Sequence, residues 1–284
     1  MWARAVVSAC GRPSDLTVLT LAAGLLAGCG GLADPSARQQ TAQQIAAPAR
    51  MAPVTIPGPL PLQAYLRQQD PAQPLTVYIE GDGLAWLSRT RPSSDPTPRN
   101  PLGLRLAALD PSANVGWLAR PCMYGGRAAC ADDSLWTEAR FSETAVQATM
   151  RGLDALARPG QKIHLVGYSG GGAIAALVAA RRSDVASLRT VAGNLDTATQ
   201  TAIHKVDPLT GSLNPADSAA YLVNIPQVHF SGDRDKVVPF TVPTMFMMKR
   251  RQEWVCSRLV MVPEADHENG WVEAWPRLVR QSCP

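Results

Sequence analysis

The stretch IHLVGYSGGG, residues 163–172, constrains the fold of this chain more than any other. An apolar run leads straight into a serine surrounded by glycines at 167, 170, 171 and 172, and a packed strand gains nothing from so many residues without a side chain. The spacing Gly167, Ser169, Gly171 predicts a sharp strand-to-helix turn that lifts the serine hydroxyl clear of the backbone. The residues two before and two after the serine must then approach so closely that a Cβ on either would collide. Downstream, GGAIAALVAARR is alanine-rich and free of breakers after its first glycines. A helix is expected there, with its N-terminal dipole favouring negative charge near Ser169.

A chain of 284 residues with 46% hydrophobic content has room for one sizeable α/β domain and little room for a second. The formal charge of +4 is small for this size, and no dense Lys/Arg run is interleaved with aromatics. Nucleic-acid binding is therefore not expected. KRR at 249–251 reads as the solvated end of a helix.

From about residue 61 short β-rich runs alternate with helical stretches, the pattern of a mostly parallel sheet covered on both faces. PLQAYLRQ and PLTVYIE read as the first strands, NVGWLARP as the next, then the strand into Ser169, LRTVAGNL, PQVHFSG and SRLVMVP. FSETAVQATMRGLDALA places apolar residues at helical spacing, with Ser142 as its N-cap. Residues 196–225 are too long for a plain connection. They read either as a small cap over a site or as a helical excursion on the surface, and His204 within them reads as a surface residue.

The N-terminus differs from the rest. Two arginines precede LTVLTLAAGLLAG, an uncharged apolar run too short to span a bilayer but suited to a signal-peptide core. The run ends in Leu26-Ala27-Gly28-Cys29, which resembles the lipobox of bacterial lipoproteins. That resemblance implies a signal peptide over 1–28, lipidation of Cys29 and a place in the bacterial envelope. Gly30, where an aspartate would favour the inner membrane, points to the outer membrane and its periplasmic side. Residues 29–60 are polar and rich in Ala, Pro and Gln, and they read as a flexible tether ahead of a folded domain over 61–284.

Cysteine use fits an oxidising compartment. With Cys10 in the signal and Cys29 acylated, an even set of four remains, Cys122, Cys130, Cys256 and Cys283, which allows three pairings. The locally closed one, Cys122 with Cys130 and Cys256 with Cys283, demands no long-range placement. Neither pair has the Cys-x-x-Cys spacing of a zinc or redox site.

A serine hydroxyl is a weak nucleophile until a base takes its proton, so Ser169 needs a histidine and a third group to orient it. FSGDRDKVVP (230–239) follows one apolar strand, and EADHENGW (264–271) follows the last. The elbow, then Gly232-x-x-Asp235-x-x-Val238-Pro239, then Asp266-His267, in the order Ser, Asp, His, resembles the α/β-hydrolase superfamily over roughly residues 60–284. The resemblance makes Ser169 the nucleophile, His267 the general base and acid, and Asp235 the group that holds the imidazole. Asp233 and Asp266 are the competing carboxylates, while His164 and His229 sit within apolar strands and read as sheet residues.

The resemblance also implies an oxyanion hole of backbone N–H groups, one from Gly170 and one from the turn in YIEGDGLAW, where Asp82 is the donor and Gly83 the alternative. Here the chain departs from the common pattern. Glu80 stands where a histidine is usual, and an acidic side chain follows the glycine. An Asp82 carboxylate aimed at the oxyanion would oppose catalysis, so it must point away or bond elsewhere. In PCMYGGRAACADDSLWTEARF (121–141), Trp136 is a candidate apolar wall for the site, the other reading being simple stabilisation of a loop.

The expectation is a lipid-anchored serine hydrolase acting on carboxylic or lipid-like esters, with no metal or organic cofactor implied. Thioester and peptide substrates use the same triad, and the fold hosts many chemistries. The reading from another class is an envelope binding lipoprotein that kept the fold without turnover.

Overall fold

In the computed structural model, residues 35–125, 130–249 and 255–283 are described. The signal-peptide and Cys29 expectations fall on residues 1–34, outside them. Eight strands form one sheet in the order β1-β2-β6-β3-β7-β8-β9-β10. They are β1 (Ala52–Ile56), β2 (Leu62–Gln68), β3 (Leu75–Ile79), β6 (Asn114–Leu118), β7 (Ile163–Tyr168), β8 (Val185–Val191), β9 (Gln227–Gly232) and β10 (Ser257–Val262). β1 with β2 and β2 with β6 pair antiparallel, and every later pair is parallel. β4 (Trp86–Ser88) and β5 (Arg91–Pro92) form a separate small hairpin.

The period-2 alternation of β3 explains how one strand serves two cores. Leu75, Val77 and Ile79 face one buried cluster, with α3 (Glu143–Leu156) and α4 (Gly170–Ala179). Tyr78 faces the other, beside α2 (Leu102–Ala108), the helix Trp271–Leu278 and Trp117. β3, β6 and β9 are buried throughout, as strands covered on both faces must be. Every residue of α4 is buried, which accounts for its lack of charge. Ser142 caps α3, its Oγ accepting from the N–H of Ala145.

The strand order reverses at β3. From β3 the chain passes to β6 on one side, then returns to β7 on the other. Loops leaving the C-terminal ends of β3 and β7 therefore open a crevice between them, where ligands bind in open α/β sheets. Ile79 is in register with Gly167, so Glu80 to Gly83 emerge directly beside Ser169.

The reading of 29–60 as a tether needs correction over residues 35–60, while 29–34 lie outside the described residues. α1 (Pro35–Ala46) packs Ala42 and Ala46 into the second core, and β1 extends the sheet. Arg38 is buried on the same helical face, its Nη1 donating to the carbonyl of Thr97 at 2.9 Å and pairing with the Asp95 carboxylate at 3.3 Å. Small alanines and one arginine carry this face, so it has no apolar stripe to read. β1 is the edge strand, the position where Pro53 is tolerated.

Residues 196–225 form α5 (Thr197–His204) and a 3₁₀ segment, Pro215–Leu222. Ala216, Ala219 and Leu222 join the first core, so this part is a packed excursion of the body.

Candidate active site

Ser169 sits at φ +51°, ψ −121°, a conformation few residues with a Cβ adopt. The turn holds it there through three backbone hydrogen bonds. Its N–H donates to Val191 O at 2.9 Å, and its carbonyl accepts from Gly172 N at 2.9 Å and Asn194 N at 3.0 Å. The need for glycine on both sides is steric. A Cβ on Gly167 would lie 2.4 Å from Gly171 O, and one on Gly171 would lie 2.2 Å from Ile79 O.

The Ser169 Oγ lies 2.9 Å from Nε2 of His267, and His267 Nδ1 lies 3.0 Å from Oδ2 of Asp235. Asp235 is fully buried at its side chain. Its Oδ1 accepts from Val237 N and Val238 N, both at 2.8 Å, so the turn after β9 fixes its orientation. A carboxylate can only accept, so Nδ1 of His267 donates to it. Nε2 is then left as an acceptor facing the serine hydroxyl. The loop bearing His267 is tied down by Trp271 Nε1, which donates to Asp266 O at 2.8 Å.

The competing carboxylates lie elsewhere. Asp266 accepts from the side chain and N–H of Asn269 and from Glu268 N, bonds that hold it below the usual carboxylate range. Asp233 is exposed and has no side-chain partner among the described residues. The other histidines have other partners. His229 is buried against Thr190 Oγ1 at 2.9 Å, and burial pushes it down to about 3. His164 meets Ser187 Oγ at 2.7 Å, and His204 meets Val237 O at 2.7 Å.

Ser169 and His267 open onto a cavity of about 500 Å³, whose wall includes Glu80, Asp82, Gly83, Tyr168 and Arg140. No residue of 196–225 lines it. Gly170 N begins α4 and has no intrahelical acceptor. The loop from β3 abuts the elbow closely, since a Cβ on Gly81 would lie 3.3 Å from Ser169 Cβ. The N–H groups of Asp82 and Gly83 make no hydrogen bond to the described residues.

Glu80 is buried beneath this loop and accepts four hydrogen bonds, from Gly81 N (3.0 Å), Gly103 N (3.2 Å), Leu104 N (3.3 Å) and Trp117 Nε1 (2.9 Å). Burial raises its pKa, and the four donors pull it back. One carboxylate thus joins the loop to α2 and β6. Asp82 turns its carboxylate to two arginines, Arg120 Nη1 at 3.2 Å and Arg140 Nε at 3.0 Å. Neither arginine was singled out by a local motif.

Cys122–Cys130 and Cys256–Cys283 are disulfide-bonded, with Cα separations of 5.3 and 5.8 Å. Trp136 does not line the cavity. It is buried against Cys122, Cys130 and Ala85, and its Nε1 donates to Ser93 O at 3.2 Å. It supports the wall from behind, since Ala85 faces the cavity.

No family model matches the chain, and no curated protein does. Solved structures do. Est1E from Butyrivibrio proteoclasticus aligns at a TM-score of 0.54 and 15% identity, covering 80% of this chain and 95% of that one. The esterase domain of a Rhodothermus marinus protein aligns at 0.54 and 16%, covering 80% and 94%. The acylaminoacyl peptidase of Pyrococcus horikoshii aligns at 0.58 and 13%, covering 80% of this chain and 39% of that chain. Identities this low speak to architecture, and together with the strand order they establish that the chain has the α/β-hydrolase fold.

Proposed function

We propose that the protein is a serine hydrolase that cleaves carboxylic esters through Ser169, His267 and Asp235. The observation that carries this reading is the two-bond chain from Oγ through the imidazole to a buried carboxylate, with the tautomer that attack requires. His267 Nε2 takes the hydroxyl proton as Oγ bonds to the ester carbonyl carbon, and the carbonyl electron pair moves to oxygen. Backbone N–H groups of Gly170 and the Asp82–Gly83 turn receive that oxyanion. Collapse expels the alcohol, protonated by the imidazolium, and leaves an acyl-serine. Water, activated by the same imidazole, then releases the acid. Asp235 stabilises the imidazolium in both halves.

The protein is further proposed to be tethered by a lipid on Cys29 to the outer membrane of a bacterial envelope, which would bring it to lipid-like esters. The support for this is the Leu-Ala-Gly-Cys run after an apolar signal core.

A fluorophosphonate should label Ser169, Ser169→Ala should abolish labelling without unfolding, and p-nitrophenyl esters should be turned over. A folded protein that resists the probe and hydrolyses no ester would point instead to a binding lipoprotein. Cys29→Ser should move the protein from the detergent phase to the aqueous phase, and an unmodified N-terminus beyond residue 29 would refute the anchor.

A further inference from the structure

An aspartate at the oxyanion turn is a chemical problem. Asp82 Oδ1 packs directly on Gly170, where an added Cβ would lie 1.9 Å from it. The carboxylate therefore fills the Cβ position of the residue whose N–H begins α4. A free negative charge there would oppose an oxyanion held by the same amides.

Its surroundings address the problem with two guanidinium groups. Arg120, at the end of β6, is 4% exposed and donates from Nη1 to Asp82 Oδ1 at 3.2 Å, while its Nη2 donates to the carbonyl of Arg140. Arg140, in the segment before α3, sets Nε 3.0 Å from Asp82 Oδ2 and donates from Nη1 to Thr137 O at 2.7 Å. Both guanidinium carbons lie over the buried Phe141 ring, at 5.4 and 5.1 Å from its centroid. Neither Nε makes an aligned hydrogen bond, so the Arg140 contact is an ion pair rather than a directed bond. Two guanidinium groups thus meet the Asp82 carboxylate beside the cavity, with the Glu80 carboxylate also near Arg120.

We infer that Arg120 and Arg140 are positioning residues that orient the Asp82 carboxylate toward themselves and offset its negative charge where the intermediate's charge develops. A buried guanidinium is costly unless it is paired. Here the partner lets the loop cross-link three segments, the ends of β3 and β6 and the approach to α3, without placing an uncompensated anion beside Ser169. This inference rests on the hydrolase reading above.

The test is a cycle on the full chain, with Arg140 as the site because its side chain is 17% exposed and tolerates change better than Arg120. Arg140→Met should lower kcat on a p-nitrophenyl ester by on the order of tenfold to a hundredfold with KM little changed. Adding Asp82→Asn to that variant should restore most of the loss, and Arg140→Lys should retain most of the activity. A trifluoromethyl ketone, which forms an anionic adduct on serine, should bind Arg140→Met more weakly in proportion to kcat. The corresponding uncharged alcohol should bind all variants alike. A purely structural role predicts equal weakening of both inhibitors, and that result would overturn the inference. So would an unchanged kcat, or a loss that Asp82→Asn fails to restore. A wild-type protein inert to ester and fluorophosphonate would sink the hydrolase reading itself, and this inference with it, which is a different result from an active wild type with a flat cycle.

Discussion

Tyr168 donates its hydroxyl to the backbone carbonyl of His267 at 3.1 Å, and its ring lies tilted against the imidazole with centroids 5.6 Å apart. The residue before the elbow serine therefore holds the loop that carries the serine's partner. Strand β7 and the loop after β10 are 99 residues apart in sequence, yet this contact sets their spacing directly. Burial keeps the phenol well above its ordinary pKa, so it stays a donor at any working pH.

Tyr168→Phe removes that hydrogen bond and keeps the ring. The expected cost is about 1 kcal/mol of stability, the usual worth of one such bond. Activity should fall further than stability implies, because a loosened His267 loop spends less time with Nε2 in reach of Oγ. A kcat reduced several-fold with KM nearly constant, measured beside the thermal midpoint, would agree. An unchanged kcat would mean that Asp235 alone positions the ring.

The two aspartates of GDRD should separate cleanly. In Asp235→Asn, Oδ1 can still accept from Val237 and Val238, which leaves the amide nitrogen facing Nδ1. Nδ1 must then accept, and Nε2 carries a hydrogen toward the serine, the wrong tautomer for attack. The corresponding change in serine protease triads costs about 10⁴ in kcat, and a loss of that order is expected here with KM and melting temperature near their original values. Asp233→Asn, on an exposed side chain, should do little. Reversed kinetics for the pair would move the acid to Asp233.

Stability should fall with acid because of the buried histidines. His229 stays neutral down to about 3 in the folded state, held there by burial, whereas an unfolded histidine takes up a proton near 6.5. Between these values the unfolded chain binds more protons, so stability is full above about pH 6.5 and declines as pH drops toward 3, by at most about 1.4 kcal/mol per unit. His164 is shifted the same way by burial, with a contribution from Arg189. The carboxylates held low, Asp184 and Asp196, act only below their ordinary range, near pH 4. Denaturant midpoints across pH 4 to 7 should therefore slope less in His229→Gln than in the wild type, and parallel slopes would contradict the assignment.

What could be read in advance was whatever lies within one local pattern. The Ser169 turn is written in four glycines and a strand. The Gly232 to Pro239 run is equally contiguous, and the fold brings His267 and Asp235 together over 32 residues. The Asp82 carboxylate was legible as an anomaly that needed a partner, but Arg120 and Arg140 stand 38 and 58 residues further along with no spacing to mark them. Only the fold brings β6 and the approach to α3 beside the loop after β3. α1 leaves no sequence signal for another reason, since a face made of Arg38, Ala42 and Ala46 has burial without hydrophobic contrast.

The two disulfides should part stability from activity. On the chain-entropy estimate, Cys256–Cys283 is worth up to about 3.6 kcal/mol and the shorter Cys122–Cys130 loop up to about 2.6. At about 2–4 °C per kcal/mol for a domain of this size, the first should matter more to the melting temperature. It ties the C-terminal end to the start of β10, and neither cysteine lines the cavity. Replacing both by serine should lower the midpoint by several degrees and leave kcat near wild type. Cys122 and Cys130 instead pack with Ala85 and Trp136 behind the cavity wall. Met123, next to Cys122, closes on the Asp82–Gly83 turn, where a Cβ on Gly83 would lie 2.9 Å from its terminal carbon. Serine at 122 and 130 should therefore reduce kcat/KM several-fold at temperatures where the protein is still folded, despite the smaller loss of stability. Mild reduction of the wild type should reproduce both effects together. If the Cys122 and Cys130 variant loses only stability, the loop is a brace for the surface and the Asp82–Gly83 turn holds its shape through Glu80 alone.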